Sequence, residues 1–442
     1  MPIRKIPKTT QDYYLINFDS KGVERAADDG RVLSQLVIDE LKSQPVTDVF
    51  VMSHGWLGDI DDAQAQYDKW MANLWSCADD MEAVKKKRPN FKPLLIGLHW
   101  PSKPFGNEDA GGAFALDLAV EGDEVVRNAI KDQLALLDAS DEIRPQLETI
   151  YKAYLDLDEP DSLPKEVRQA YLEINGKLGL DDEDRESFDP EDIFQNGRDA
   201  DEENEDDFAN FAGGFSWGDL LAPLRVLSFW RMKDRARSIG QSGANDLLRK
   251  MQQAASNSPG RDVRFHLMGH SFGCILVTAM TAGSSDATMA ANPVHSMLLA
   301  QGATSIWGYC PKIPHAKDKA GAFNRIIKNN RIKGAIVTTW SEHDSAVGFF
   351  YPLAAGLKGQ LDFAGDLPKY GGIGAFGIQG LDDIAEGLAI QKKDHQYNFK
   401  AGRIYNLASG EVIKNKALVV GAHSDIAHPE VAHAWWQAVA ID

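Results

Sequence analysis

A serine flanked by glycines, in Gly269-His270-Ser271-Phe272-Gly273, closes one apolar run and opens another. The stretch from Val263 to Gly273 reads VRFHLMGHSFG, and its first six residues have the pattern of a buried strand. Cys274 to Met280 behind it read as a helix packed on that strand. A serine at the tip of so sharp a turn has a strained backbone, and a side chain at Gly269 or Gly273 would strike the neighbouring strand or helix. Ser271 is therefore a candidate nucleophile. Five residues alone recur by chance, so the strand before and the helix after are the context on which this reading depends.

A serine hydroxyl is a poor nucleophile near neutral pH; it needs a base within hydrogen-bond reach, and the base needs an acid to orient it. On a strand-to-helix turn of this kind, acid and base follow the serine in chain order, each on a loop after a later strand. The last apolar run, Ala417 to Val420, leads into GAHSDIAHP, which sets His423 three residues past a strand and ahead of the final helix. His423 is the first choice for the base. His428 is the second, although it and His433 suit capping or surface roles on that helix. For the acid, the strand Ile332 to Thr339 runs into Trp340-Ser341-Glu342-His343-Asp344, with Asp344 preferred and Glu342 the alternative. Asp344 also suits the cap of the segment after it. The turn Gly302-Ala303-Thr304-Ser305 offers no carboxylate to compete.

Attack on a carbonyl builds negative charge on its oxygen, which calls for aimed donors. One is the N–H of Phe272, directly after the serine. The other is expected from the loop after the strand Asp48 to Met52, where the chain reads Ser53-His54-Gly55-Trp56-Leu57-Gly58-Asp59. Gly55 allows the tight turn and the N–H of Trp56 is best placed. His54 is an alternative base in principle, but it fits better as a residue that fixes its loop by hydrogen bonding, and His270 inside the elbow reads as structural.

The elements that must position these groups alternate between apolar runs and amphipathic helices, the signature of a doubly wound, mostly parallel sheet covered on both faces. Strands are expected at Tyr13–Phe18, Asp48–Met52, Leu94–His99, Met297–Ala300, Ile332–Thr339 and Ala417–Val420, besides the one that carries Ser271. Helices are expected at Val32–Leu41, Ala63–Ala78, Arg235–Met251 and Pro429–Val439. This core spans residues 1–100 and 228–442. A first insertion, 101–227, holds helical stretches at Leu116–Leu137 and Arg144–Leu155, an acidic flexible loop at 181–207 and an aromatic-rich piece, Phe208 to Trp230. It leaves the sheet at the carboxyl end of a strand, where open α/β sheets bind ligands, so it is placed to serve as a lid or a fixed cap. A second insertion, 348–403, is glycine-rich. Its Gly372-Ile-Gly374-Ala-Phe-Gly377 matches G-x-G-x-x-G, but without a βαβ unit around it the string reads as a loop needing positive φ and not a dinucleotide site.

Composition narrows the function classes. At 442 residues, 43% hydrophobic and 25% charged, the chain can bury a large core without staples. Its net charge of −18 is concentrated between Asp181 and Asp207, where fifteen acidic residues face Arg185 and Arg198, so nearly everything else is balanced. The sign disfavours nucleic acid. No D-x-D-x-D-G loop is present, and neither a metal nor a cofactor is expected. Cys77, Cys274 and Cys310 lack metal-ligand spacing and read as buried free thiols of a reducing compartment. The N-terminus carries no apolar h-region and no stretch is long enough to span a bilayer, so a cytoplasmic protein is expected, with export lacking a leader still open. Oligomeric state is not readable.

Taken together, HGW, GHSFG, the Asp-bearing WSEHD and the His-bearing GAHSDI resemble the α/β-hydrolase fold superfamily, from about Tyr13 to Trp100 and from Arg235 onward. The resemblance implies Ser271 as nucleophile, Asp344 as acid, His423 as base, and Trp56 with Phe272 as oxyanion donors. Its oxyanion loop is like that of HGx esterases and lipases. The large insertion departs from the commonest pattern by following the strand that ends in His99. The implied chemistry is acyl transfer to water, with esters as substrates. His54, Gly55, Trp100, His270, Trp307, Phe349 and Phe350 are the expected surroundings of the substrate, and the aromatic ones suit an apolar acyl or aryl group. Soluble short- to medium-chain esters come first, lipid acyl esters met at an interface second, amides or peptides third. A non-catalytic binding module on the same architecture is the reading from another class.

Overall fold

Alternate residues of the central strands face opposite sides, and both sides are apolar. In β3 (Asp48–Ser53), Val49 and Val51 join one buried cluster while Phe50 and Met52 join the other. The same split holds in β4 (Pro93–His99), where Ile96 and Leu98 oppose Leu95, and in β5 (Arg264–His270), where Leu267 opposes Met268. Such strands need cover on both faces, which is why helices flank the sheet on either side.

The computed structural model describes residues 3–27, 29–56, 59–102, 123–156, 160–180, 188–203, 220–257, 262–316, 318–348, 367–415 and 421–441. Among these residues the sheet has nine strands. With β1 (Ile3–Lys5), β2 (Asp12–Asn17), β6 (Ser296–Ala300), β7 (Ile336–Trp340), β8 (Ala385–Ala389) and β9 (Ile404–Ala408) added, the order is β1-β2-β4-β3-β5-β6-β7-β9-β8. Only β1 runs antiparallel to its neighbour β2; the other pairings are parallel. The chain winds from β3 outward to β4 and resumes on the other side of β3 with β5, so the loops leaving β3 and β5 diverge from a crevice at the carboxyl ends of adjacent strands.

The α/β class and the mostly parallel sheet agree with the sequence pattern, and the final helix falls on Pro429–Val439 as expected. Four expectations need correction. The helix expected over Arg235–Met251 is two helices, Ala222–Ile239 and Asn245–Ser256, joined by a π turn at Gly240–Ala244. A Cβ on Gly240 would lie 2.6 Å from Ala279 Cβ and 2.7 Å from Leu276 O, so the turn brings backbone directly onto the helix behind Ser271. The boundary at 227/228 consequently falls inside one helix. The helices Asp123–Leu136, Arg144–Asp156 and Lys165–Leu178 pack into the same apolar cluster as one sheet face, with Arg235 bridging them to the core through Asp138 at 2.6 Å. The acidic segment is not a loop throughout, since Pro190–Glu203 is helical, with Ile193 and Phe194 buried. Finally, the glycine-rich segment is no excursion from the core. It supplies β8, an edge strand whose AEGLA sequence is largely exposed and so lacks an apolar signature. β9 follows directly, and the expected strand Ala417–Val420 lies outside the described residues.

Candidate active site

The elbow is built by close approaches that exclude side chains. A Cβ on Gly269 would come within 2.5 Å of Cys274 N and Cα in the helix Gly273–Ala282, and one on Gly273 within 2.3 Å of Ser53 O. Between them Ser271 holds a left-handed φ of 54°, which costs energy for a non-glycine residue and turns its side chain out of the strand path. The elbow is pinned to the turn after β6: Ser271 N–H donates to Ala300 O at 3.2 Å and Ala303 N–H donates to Ser271 O at 3.2 Å.

The loop after β3 lies directly against this serine. A Cβ on Gly55 would stand 2.5 Å from Ser271 Cβ and 3.1 Å from its Oγ, so glycine is required there by contact with the serine as much as by its own turn. His54 is fully buried and serves as the anchor of that loop. Its Nδ1–H donates to Gly55 O at 2.8 Å, and its Nε2 accepts from His99 Nδ1 at 3.0 Å and, more weakly, from Trp100 N–H at 3.3 Å. Trp100 stacks on the ring with planes 7° apart and donates its indole N–H to His54 O at 3.1 Å. Burial, helped by the neighbouring His99, holds His54 well below the usual imidazole range, so it stays neutral. With both ring nitrogens engaged and protonation disfavoured, His54 is not placed to act as the base. Neither it nor Trp100 retains any exposed surface, and both are removed from the expected pocket wall because the loop's own hydrogen bonds consume them.

The candidate acid and base come together across 79 residues. His423, on the short helical turn Gly421–Ser424, donates from Nδ1 to Asp344 Oδ2 at 2.9 Å, with Asp344 fully buried. Asp344 caps the turn Ser345–Gly348 as well, its Oδ1 accepting from Val347 N–H at 3.0 Å, so the capping and orienting roles are shared between its two oxygens. Glu342 is half exposed and lies 3.8 Å from the His343 ring nitrogen; among the described residues no hydrogen bond joins it to His423. His428 pairs with Asp425 at 2.8 Å at the foot of the last helix, away from the dyad. His270 ties base to elbow: its Nε2–H donates to His423 O at 2.8 Å with the two rings 5.0 Å apart. Burial, reinforced by nearby His423, pushes His270 down to about 3, which keeps it a neutral strut. Among the described residues no hydrogen bond joins Ser271 Oγ to His423; the structure brings their chain segments together through His270.

Phe272 begins the helix Gly273–Ala282, and amides at an open helix N-terminus have no intrahelical acceptor. Its ring lies beneath Trp56, with centroids 6.0 Å apart, and against Phe229 at 5.0 Å. Phe229 also meets Trp56 edge-on at 5.9 Å, so the helix Ala222–Ile239 touches both loops that flank the serine. Trp307 is buried in the apolar core, its indole N–H donating to Lys369 O at 3.0 Å. Phe349 and Phe350 lie outside the described residues. All three cysteines are buried and free. Among the described residues no acidic, histidine or cysteine cluster suits a metal ion.

Two contributors escaped the sequence reading. Gln301, at the end of β6, donates from Nε2 to Asp344 Oδ2 at 2.8 Å, and Gly374 of the glycine string packs on the same carboxylate, where a Cβ would come 3.0 Å from Oδ2. Gly377 does adopt a positive φ of 70°, whereas Gly374 is needed for close approach. The Gly374 signal was present in the unexplained density of glycines; Gln301 carried none. Compared with protein-family models, curated proteins and solved structures, the chain finds no match.

Proposed function

We propose that this chain is a serine hydrolase of the α/β-hydrolase type that cleaves carboxylic esters, with Ser271 as nucleophile, His423 as base and Asp344 as acid. The observation that carries this reading is the buried pair at the carboxyl edge of the sheet: Asp344 orients His423 at 2.9 Å, and His423 is fastened through its carbonyl to the residue preceding a strained serine. With Nδ1 committed to Asp344, the other ring nitrogen of His423 is the one left for the serine proton. Contacts of this kind are often long before substrate arrives and tighten in the complex.

In the proposed reaction Ser271 Oγ attacks the ester carbonyl carbon as His423 Nε2 takes its proton. The oxyanion is held by the N–H groups of Phe272 and Trp56. Collapse of the tetrahedral species breaks the bond to the alkoxide, which leaves as an alcohol with the proton from His423. Water then attacks the acyl-serine by the same route in reverse, giving the acid and restoring Ser271. Ester and water become acid and alcohol, and no cofactor enters.

Phe229, Trp56 and Phe272 make the immediate surroundings apolar, which favours an apolar acyl or aryl group on a soluble ester. The helices between β4 and Phe229 act in this reading as a cap, because the last of them reaches the oxyanion loop. Among the described residues no helix is long and apolar enough to cross a membrane.

The test is hydrolysis of p-nitrophenyl esters from acetate to palmitate, with and without detergent micelles, by wild type and Ser271→Ala. Turnover of short chains that vanishes in the variant is expected, together with fluorophosphonate labelling mapped to Ser271. Equal rates in both proteins would leave a binding module as the better account. Activity only on long chains in micelles would make the protein a lipase.

A further inference from the structure

The end of β6, where the sequence shows no carboxylate, holds instead the most constrained side chain of the acid's surroundings. Gln301 is fully buried and has a left-handed φ of 44°, a conformation that a glutamine adopts only when its neighbours impose it. Every polar atom of its side chain is used. Nε2 donates to Asp344 Oδ2 at 2.8 Å and to Gly374 O at 2.9 Å, and Oε1 accepts from Thr339 Oγ1 at 2.9 Å. The same Thr339 hydroxyl accepts from the Gln301 backbone N–H at 3.1 Å, so the amide cannot rotate or flip without breaking this set.

The carboxylate oxygen that Gln301 meets is the one that accepts from His423. An ionised carboxylate is acceptor-only, and the two donors on Oδ2 with Val347 N–H on Oδ1 define its plane completely. Gly374 closes the remaining side, since any Cβ there would meet Gln301 and Asp344 together. The strain at Gln301 therefore has an evident return, because it aims the amide at the atom on which the base depends.

We propose that Gln301 is a positioning residue, anchored by Thr339, which fixes the Asp344 carboxylate so that His423 is held in one orientation and one tautomer. The inference rests on the roles given to Ser271, His423 and Asp344 above. It also explains why β7 can carry the acid while the turn after β6 has none: that turn contributes the acid's donor.

The experiment compares wild type with Gln301→Met, which keeps length and volume but no donor. Ester hydrolysis is read as kcat and KM separately, and the low-field proton resonance of the ring N–H shared by His423 and Asp344 is recorded on the same samples, with Asp344→Asn assigning it. The expected result is a roughly ten- to hundredfold fall in kcat with KM little changed, the size expected for losing one hydrogen bond to a charged group. The low-field resonance should broaden or move. A folded variant with the kcat and the resonance of wild type would overturn the proposal. If the methionine fails to fold, Gln301→Gly, which suits the left-handed backbone, carries the same two readouts. Failure of the hydrolase reading looks different: Ser271→Ala would then equal wild type, while the resonance still reports whether Gln301 holds the pair.

Discussion

Two groups of serine, histidine and aspartate stand at opposite ends of the same sheet. At the amino end, Ser296 donates to His266 Nδ1 at 2.9 Å and His266 donates from Nε2 to Asp48 at 3.0 Å, while Asp48 also pairs with Arg88 and Ser296 accepts from the Trp435 indole at 3.2 Å. All three residues are fully buried. Burial holds His266 below the usual imidazole range against the pull of Asp48. Burial opposes the charge on Asp48, but the His266 hydrogen bond and Arg88 prevail and keep its carboxyl below the usual range. The contact is therefore a neutral imidazole donating to a carboxylate and not an ion pair. At the carboxyl end, Ser271 and His423 keep a little surface, 6% and 4%, and the serine sits on strained backbone at a helix N-terminus. The hydrogen-bonded relay is more complete where no substrate can arrive. Residue types and bonds alone do not make a nucleophile; access, a backbone that projects the hydroxyl, and amides aimed at a developing oxyanion do.

Paired substitutions break or sharpen that contrast. Ser271→Ala should lower ester turnover by about four to six orders of magnitude at unchanged stability, while Ser296→Ala should keep turnover and cost roughly 1–3 kcal/mol for the orphaned partners, read by urea unfolding. Asp344→Asn should cost about ten-thousandfold in kcat by admitting the wrong His423 tautomer. Asp48→Asn should instead cost about 3–5 kcal/mol of stability, with kcat per folded molecule retained, because Arg88 and His266 lose a buried partner. If the two aspartates exchanged these effects, the functional assignment would be reversed. Gly374→Ala, whose Cβ would press on Gln301 and Asp344, should lower kcat about a hundredfold and leave KM near its wild-type value, since a displacement of about an ångström has that effect.

A last prediction concerns pH. His54, His266, His270 and His295 are all depressed by burial, His270 and His295 to about 3. The unfolded chain then binds protons that the folded one refuses, so the stability is complete above pH about 6.5 and is lost as pH falls toward the folded values. Urea midpoints should fall between pH 6 and pH 4; a flat profile would show that these imidazoles charge freely in the folded state.

The sequence made the central strands legible because a strand buried on both faces is a continuous apolar run, and Asp48–Ser53, Pro93–His99 and Arg264–His270 fall within a residue or two of their expected bounds. It missed β8, because an exposed edge strand needs no apolar pattern, and it divided the helix Ala222–Ile239 at a boundary the packing ignores. At the site, the glycines around Ser271 were readable because their steric need is local. Trp100 was misplaced because an aromatic near a strand end reads alike whether it lines a pocket or fills a core.

What the chain determined by itself is the central strands and the elbow, since periodicity and turn glycines depend on neighbours within a few residues. Only the tertiary structure paired His423 with Asp344 and not Glu342, set Gly55 against Ser271 and Gly374 against Asp344, and brought Gln301 to the same carboxylate. Those outcomes depend on distances between segments 30 to 216 residues apart, which no local pattern encodes.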